Sequence, residues 1–359
     1  MPLYDILWAI CGLGFLIVVH ELGHFIFAKR LGVGVLKFSV GFGPRLFGRT
    51  VNGTEYALSA VPLGGYVKMV GEDPDAGGAD VDPRVSFNQQ PLWKRAAIVL
   101  AGPGFNILGA FLIFASVFVV YGARVPSEAA KVGGVMEDMP AEQAGLQVGD
   151  VVTALDGTPV RTWEELSAGI RASGGREVAL GVQRGETTLT VRVTPQSKPD
   201  KSLFGEVVGE AFVIGIERGL DQEDVGVVRS LGMAANQTFW WIQTLVLSVV
   251  KMVQGKISTQ EIGGPILIAQ AAGQQARMGL EYFLHFMAVI SINLGILNLL
   301  PIPILDGGHL LFCVIEAVLR RPLKIRHREI AQQIGLVILV GLMAFAFYND
   351  IARVVRGWG

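Results

Sequence analysis

The sequence predicts a polytopic α-helical membrane protein: four transmembrane helices, a membrane-associated β-hairpin or sheet after the first, and one extracytoplasmic α/β domain between the second and third. Three observations lead there. The 359 residues are 51% hydrophobic and only 17% charged, with a mean hydropathy of +0.47, a balance that needs lipid as solvent for much of the chain. Apolar runs occupy residues 3–28, 96–121, 282–300 and, on the short side, 334–348, against the ~20 residues that a bilayer core demands. Between the second and third runs, residues 122–225 change to shorter apolar segments and ordinary charge, enough for a domain of roughly 100 residues.

Composition also excludes. A net charge of -1 gives no footing for nucleic acid, which calls for a basic surface. Cys11 and Cys313 sit in apolar runs without metal or disulfide spacing and read as small buried thiols. Residues 1–5 hold no Lys or Arg, so the first helix reads as retained, not as a signal peptide.

The first crossing, residues 1–30, ends in Lys29-Arg30 and carries His20-Glu21-Leu22-Gly23-His24. Charge inside hydrocarbon costs several kcal/mol unless paired or metal-bound, so such a cluster marks a functional site. On a helix His20 and His24 share a face and can place two imidazoles on one divalent metal, with Glu21 overlooking the open coordination position. This is the H-E-x-x-H arrangement of zinc peptidases, in which zinc lowers the pKa of water towards ~7 and the carboxylate takes its proton. The competing reading is a polar helix end dipping into headgroups.

Within residues 31–91, the stretch 35–69 loses helical period. Gly41, Gly43, Gly48, Gly64 and Gly65 punctuate two partly alternating segments around Asn52-Gly53, a tight hairpin signal. Phe38, Phe42, Leu46, Phe47 and Leu58 make the stretch too apolar for an ordinary cytosolic loop. A hairpin dipping into the membrane beside the metal would offer an open edge to an extended substrate; the other reading is a small sheet packed under the helices. Residues 72–82 read as a solvated acidic linker.

In residues 92–121, Trp93-Lys94-Arg95 anchors the second crossing at the interface. Its Gly102-Pro103-Gly104 and Asn106 suit close helix contact or a free amide near the metal. Residues 122–225, with Gly133-Gly134-Val135, a helix at 162–172 and strands at 178–183 and 188–193, resemble a PDZ domain of the bacterial protease type. Such a domain binds an extended peptide as an added strand; a purely steric role as a filter is the alternative.

Within residues 226–279, the apolar stretch 228–253 reads as a helix along the outer membrane surface, because a fifth crossing would move the basic segment at Arg320, Arg321, Lys324, Arg326 and Arg328 outside. Gly263-Gly264-Pro265 then precedes a small-residue helix at 266–276. The third crossing, in residues 280–319, runs into a segment where Pro301 and Pro303 interrupt the helix and Asp306-Gly307-Gly308-His309 follows. Freed backbone groups at membrane depth must line a cavity or meet protein. Asp306 supplies the third ligand of a two-His, one-carboxylate zinc set, with His309 as the competing ligand. Asn298 and Asn293 are candidates for holding the substrate backbone or oxyanion, or for gluing helices together. His285 and His327 read as interfacial and solvated. Residues 320–333 form a basic cytoplasmic loop, and 334–359 the fourth crossing and C-terminus, leaving both termini outside and the metal nearer the cytoplasm.

With both halves of the metal site in view, the chain resembles the site-2 protease family of intramembrane zinc metalloproteases, most closely the bacterial regulator-of-sigma-E type. The resemblance rests on His20 to His24, Gly41-Phe42-Gly43, Pro62-Leu63-Gly64-Gly65-Tyr66, Ala101-Gly102-Pro103, Gly264-Pro265 and the stretch from Asn298 to His309. It implies Zn2+ held by His20, His24 and Asp306, Glu21 as general base, Asn298 as a substrate or oxyanion contact, and a bacterial inner-membrane location. It further implies regulated intramembrane proteolysis of single-span membrane proteins, with anti-sigma factors and remnant signal peptides as typical substrates. Gram-negative relatives of that type carry two PDZ domains in tandem, whereas residues 122–225 have room for one. An intramembrane metal or proton transporter is the rival, since buried His, Asp and Glu also mark ion paths.

Overall fold

The computed structural model describes residues 3–72, 82–201, 207–256 and 263–355, so most of the predicted acidic linker, residues 73–81, lies outside the described residues. In chain order the elements are α1 (Leu3–Arg30), β1 (Val35–Val51), β2 (Thr54–Met69), a 3-10 turn at Phe87–Gln89, α2 (Leu92–Tyr121), β3 (Ala123–Pro126), β4 (Val132–Val135), α3 (Pro140–Gln143), β5 (Val151–Leu155), β6 (Thr158–Pro159), α4 (Trp163–Ala172), β7 (Val178–Arg184), β8 (Thr187–Val193), β9 (Gln196–Lys201), β10 (Val207–Val213), β11 (Ile216–Arg218), β12 (Leu220–Glu223), α5 (Val227–Val253), α6 (Pro265–Met278), α7 (Leu280–Asn298), α8 (Asp306–Leu319) and α9 (Ile325–Val355). They form two units, Met1–Phe118 with Leu231–Gly359, and Val119–Ser230.

In the first unit, α1, α2, α7 and α9 are the described helices long and apolar enough to cross a membrane. α5 is a helix as expected and is not among them. The burial on α1 inverts the pattern of a water-soluble bundle. Asp5, Ala9, Gly12, Leu16, His20, Gly23, His24 and Ala28 are buried along one helical face, while Leu7, Phe15 and Leu22 stand exposed. Small inward residues let backbones approach, which is how helices pack where lipid is as apolar as leucine. A β-carbon on Gly12 would lie 3.1 Å from Cζ of Phe283 on α7, and one on Gly23 2.7 Å from the carbonyl carbon of Ala101 on α2. Cys11 falls off that face and is exposed, against expectation, whereas Cys313 is buried.

The fourth crossing differs most from the sequence reading. α9 has 31 residues, beginning inside the predicted basic loop and continuing past Tyr348. Its far end is held by partners: buried Asp350 accepts from the backbone N–H groups of Gly264 (2.9 Å), Ile266 (2.9 Å) and Leu267 (3.1 Å) at the start of α6. A helix N-terminus presents orphan donors and a positive dipole end, so a carboxylate there is satisfied away from water.

Between α1 and α2 the hairpin is present but folded over. Asn52 and Gly53 have φ of 49° and 75°, the two positive values of a type I′ turn. Residues 47–51 pair with 54–58, while Phe38, Ser39 and Val40 stand opposite Tyr56, Ala57 and Leu58 on one side and opposite Val67, Tyr66 and Gly65 on the other. Two long strands thus supply four paired segments, bent where Gly41, Gly43 and Gly64 take φ of 88°, 84° and 126°, values that favour glycine. Residues 65–69 form one edge. Val35, Val67 and Met69 pack with Ala28, Phe87 and Ile98, whereas Phe42, Leu46, Phe47 and Leu58 are exposed. The alternative of a sheet wholly packed under the helices therefore describes only its inner end.

In the second unit, β6-β5-β7-β8 form a four-stranded sheet. Val178, Leu180 and Val182 alternate into a core with Leu166 and Ile170 of α4, Val152 and Ile214. α4 starts at a capping box in which the Thr162 side chain accepts from the N–H of Glu165 and the Glu165 carboxylate accepts from Thr162 N–H. The predicted helix and both predicted strands lie within a residue of α4, β7 and β8.

Candidate metal centre

The site begins with two antiparallel helices. At steps of four, α2 presents Ile98, Gly102 and Asn106 to His24 and His20 of α1. The Nδ1–H of His24 donates to the carbonyl of Ile98 at 2.8 Å, which leaves its Nε2 with a free lone pair. Nδ1 of His20 is 3.0 Å from the side-chain amide of Asn106. With both Nδ1 atoms engaged, the two Nε2 atoms face each other 3.2 Å apart. Both histidine side chains are buried, 9% and 10% exposed.

The carboxylate arrives from the broken helix. α7 stops at Asn298, and after Pro301 and Pro303 the chain restarts as α8 with Asp306 as its first residue, where a negative charge suits the helix dipole. α8 as a separate helix was not foreseen. Side chains on Gly307 or Gly308 would run into the carbonyls of Leu299, Leu300 and Ile302, so the two glycines let the first turn of α8 tuck under the loop before it. Asp306 Oδ2 comes to rest 3.1 Å from His20 Nε2 and 3.5 Å from His24 Nε2. Among the described residues these three make the one convergent metal-ligand cluster, their ligand atoms all within 4.8 Å of one another. His309 lines the same cavity but is not part of it.

That cavity has a volume of ≈ 260 Å³ and is walled by Glu21, Tyr66, Val67, Met69, Val99 and Asn298 besides the three cluster residues. Asn293 is not in its walls, and His285 packs its ring on Phe114 at 4.9 Å, half-buried and not solvated as expected. The edge of the sheet stands against Glu21: a β-carbon on Gly65 would lie 3.5 Å from its Cγ. Two imidazole nitrogens and one carboxylate oxygen are a donor set suited to zinc. The fit has a second sign, because Asp306 Oδ2 is buried without a hydrogen-bond partner, the kind of orphan a cation satisfies.

Two features escaped the sequence reading. The Ile98 carbonyl has no side-chain signature. Glu316 does, being a carboxylate inside the apolar run after Asp306, and it is braced by Arg95 at 2.5 Å, by Arg328 and by the N–H of Leu323 at 3.0 Å.

A family model described as Peptidase family M50 matches residues 8–342. The chain belongs to peptidase family M50. This is the site-2 protease family, and an M50 peptidase with four apolar helices is a membrane zinc metalloprotease; the transporter reading is not favoured. Relatives named by inference as zinc metalloproteases include one from Mesorhizobium japonicum, 37% identical with 93% of this chain and 95% of that one covered. One from Agrobacterium fabrum is 36% identical with 96% and 94% covered. A third, from Vibrio cholerae, is 34% identical with 97% and 99% covered, over an alignment of 452 positions against the 359 residues of this M50 peptidase. The PDZ domain of an SdrC-like protein from Listeria monocytogenes is 22% identical, covering 27% of this chain and 93% of that domain with a TM-score of 0.21. At that score the likeness carries no weight, and the character of residues 122–225 rests on their own strands and helix.

Proposed function

We propose that this M50 peptidase performs regulated intramembrane proteolysis of single-span membrane proteins, with anti-sigma factors and remnant signal peptides as the substrate class. The observation that carries the reading is the convergence of His20 Nε2, His24 Nε2 and Asp306 Oδ2 in a cavity that Glu21 also lines. His20, His24 and Asp306 would hold the zinc, which when bound polarises the scissile carbonyl and makes water a nucleophile near neutral pH. Glu21 takes the proton of the attacking water and returns it to the leaving amine. Asn298 donates its amide to the substrate carbonyl oxygen. Asn293, away from the cavity, serves helix packing.

A helix with its side chains is ~10 Å across, too wide for a cavity of ≈ 260 Å³, so the substrate enters unwound. The edge at residues 65–69 receives it as a strand. Residues 29–95 and 320–333 face the cytoplasm of the bacterial inner membrane, while both termini and the PDZ-like domain at 122–225 lie outside, where that domain contacts or sterically filters substrate. α5 lies along the outer surface.

The test is cleavage of candidate single-span substrates by the protein in liposomes, with and without chelator. Glu21→Gln should retain zinc and lose cleavage by roughly 10²- to 10⁴-fold. Undiminished cleavage by that variant would overturn the role of Glu21, and chelator-insensitive cleavage would overturn the metal.

A further inference from the structure

We infer that Asn106 is a positioning residue that fixes the tautomer of His20, its side-chain carbonyl accepting the Nδ1–H so that Nε2 is left bare for the metal. The inference rests on the reading of His20 as a ligand. The starting observation is an asymmetry between the two imidazoles. His24 has its Nδ1 tied to a carbonyl, which only accepts, and that contact selects the tautomer a ligand needs. His20 faces an amide, which can donate or accept. As placed, the Nδ2 side of Asn106 faces His20 Nδ1 at 3.0 Å, and its Oδ1 is buried with no partner at all. An amide that donated to Nδ1 would put the ring proton on Nε2, among the other two ligand atoms, and would leave its own oxygen stranded.

Turning the amide over removes both conflicts and moves the Nδ2 donors to the place Oδ1 occupied; the assignment of O and N in an asparagine side chain follows from the hydrogen bonds it makes. The Oδ1 then gains the His20 N–H, completing the ligand-to-acceptor relay that orients metal-binding histidines. The rest of the residue is held for this purpose. Asn106 has no exposed surface, and its backbone carbonyl accepts from the Ser291 hydroxyl at 2.8 Å. Gly295 of α7 packs closely on this part of α2, since a β-carbon there would lie 3.1 Å from the Pro103 carbonyl oxygen and at contact distance, 3.4 Å, from Asn106 Cβ. The spacing Gly102-Pro103-Gly104-Phe105-Asn106 therefore places a bare backbone under both rings and an acceptor one turn further, at His20.

Zinc affinity of the purified full chain, measured by competition with a chromophoric chelator, separates the possibilities. Asn106→Asp keeps an acceptor of the same shape and removes the donors, whereas Asn106→Leu removes both. Binding within about threefold of native for Asn106→Asp, and ~10- to 100-fold weaker for Asn106→Leu, is expected. Melting of the metal-free proteins identifies a variant that fails to fold; if Asn106→Leu does, Asn106→Ala replaces it with the same expectation. Equal loss in the Asp and Leu variants, or native binding by the variant without an acceptor, overturns the inference. Nitrogen-15 spectra of labelled histidine in the zinc-loaded protein should show His20 protonated at Nδ1, and protonation at Nε2 overturns it as well. His20→Ala is the control for the underlying reading: native zinc affinity in that variant would refute the site itself, whereas its loss beside intact Asn106→Leu binding would refute only the tautomer.

Discussion

Gly102 lies so close to His24 that a β-carbon on it would stand 2.5 Å from Cε1 of that imidazole, and 2.9 Å from Cε1 of His20. The bare backbone of α2 is thus the floor on which both rings rest. Gly102→Ala should displace them at an overpacking cost of about 1–3 kcal/mol, or roughly 5- to 140-fold in zinc affinity if the site bears it. Gly104→Ala, which meets nothing within 4 Å, should bind zinc normally. Metal content and chelator competition on the two purified variants check the contrast, and equal affinities would show that the floor is not rigid.

Glu316 offers a stability test apart from the chemistry. Its side chain is 4% exposed and that of Arg95 6%, at a separation of 2.5 Å, and Arg328 shares the same carboxylate and reaches Asn88 at 3.1 Å. Glu316→Leu strands the buried guanidinium of Arg95 and should cost about 3–5 kcal/mol, seen as a lower melting temperature in detergent. Replacing the pair together, Arg95→Met with Glu316→Leu, should recover part of it, because the desolvation of both charges is removed. A double variant no better than the single one would mean that the loss comes from packing or from Arg328.

Much of this architecture is legible in sequence because lipid simplifies the code. Four helices long and apolar enough to cross a membrane are legible from hydropathy alone, and the meeting of His20, His24 and Asp306 from charge placed where hydrocarbon forbids it. The Asn52-Gly53 turn was legible for a similar reason, since few residue pairs accept two positive φ values. What escaped depends on long-range partners. Asp350 stands in the sequence only as a polar residue after the last apolar run, with nothing to mark its partner, yet it is buried against α6. The sheet looked like a plain hairpin, because glycines at 41, 43 and 64 announce bends but not which segments the bends bring together. Residues 306–319 looked like an extension of the third crossing, because the tuck beneath residues 299–303 requires knowing that Gly307 and Gly308 meet backbone.

Asp350 predicts the behaviour of α6. Its carboxylate takes three N–H groups of the first turn at 2.9–3.1 Å and is 2% exposed. Asp350→Ala leaves those donors without an acceptor and should cost about 0.5–2 kcal/mol, the range for losing an N-terminal cap. Hydrogen exchange should rise in residues 265–278, while amides of α2 keep their protection. Unchanged exchange in α6 would mean that its packing on α1, where Arg277 reaches Asp5 at 2.6 Å, holds it alone.

Asp150 sets a pH dependence in the unit spanning Val119–Ser230. Its carboxylate accepts from Arg184 Nε and Nη2, each at 2.8 Å, and from the N–H of Gln147 at 2.9 Å. The hydrogen bonds from Arg184 come first in holding this carboxyl below the usual carboxylate range; burial works against them, and the Gln147 amide and the charge of Arg184 add to them. A carboxyl depressed in the folded state stabilises it above the unfolded pKa of ~3.9, and that stabilisation fades as pH falls through the folded value. Asp150→Asn should therefore cost about 1.5–3 kcal/mol at neutral pH, the worth of hydrogen bonds to a charged group. Below pH ~4 the native protein loses the same advantage and the gap between the two should narrow. Exchange protection of amides in β5 and β7, corrected for the intrinsic pH dependence of exchange, measures the gap at both ends. A difference that stays constant into acid would show that the loss comes from the donor that the Asn amide turns toward the N–H groups of Arg184 or Gln147, and not from the charge of Asp150.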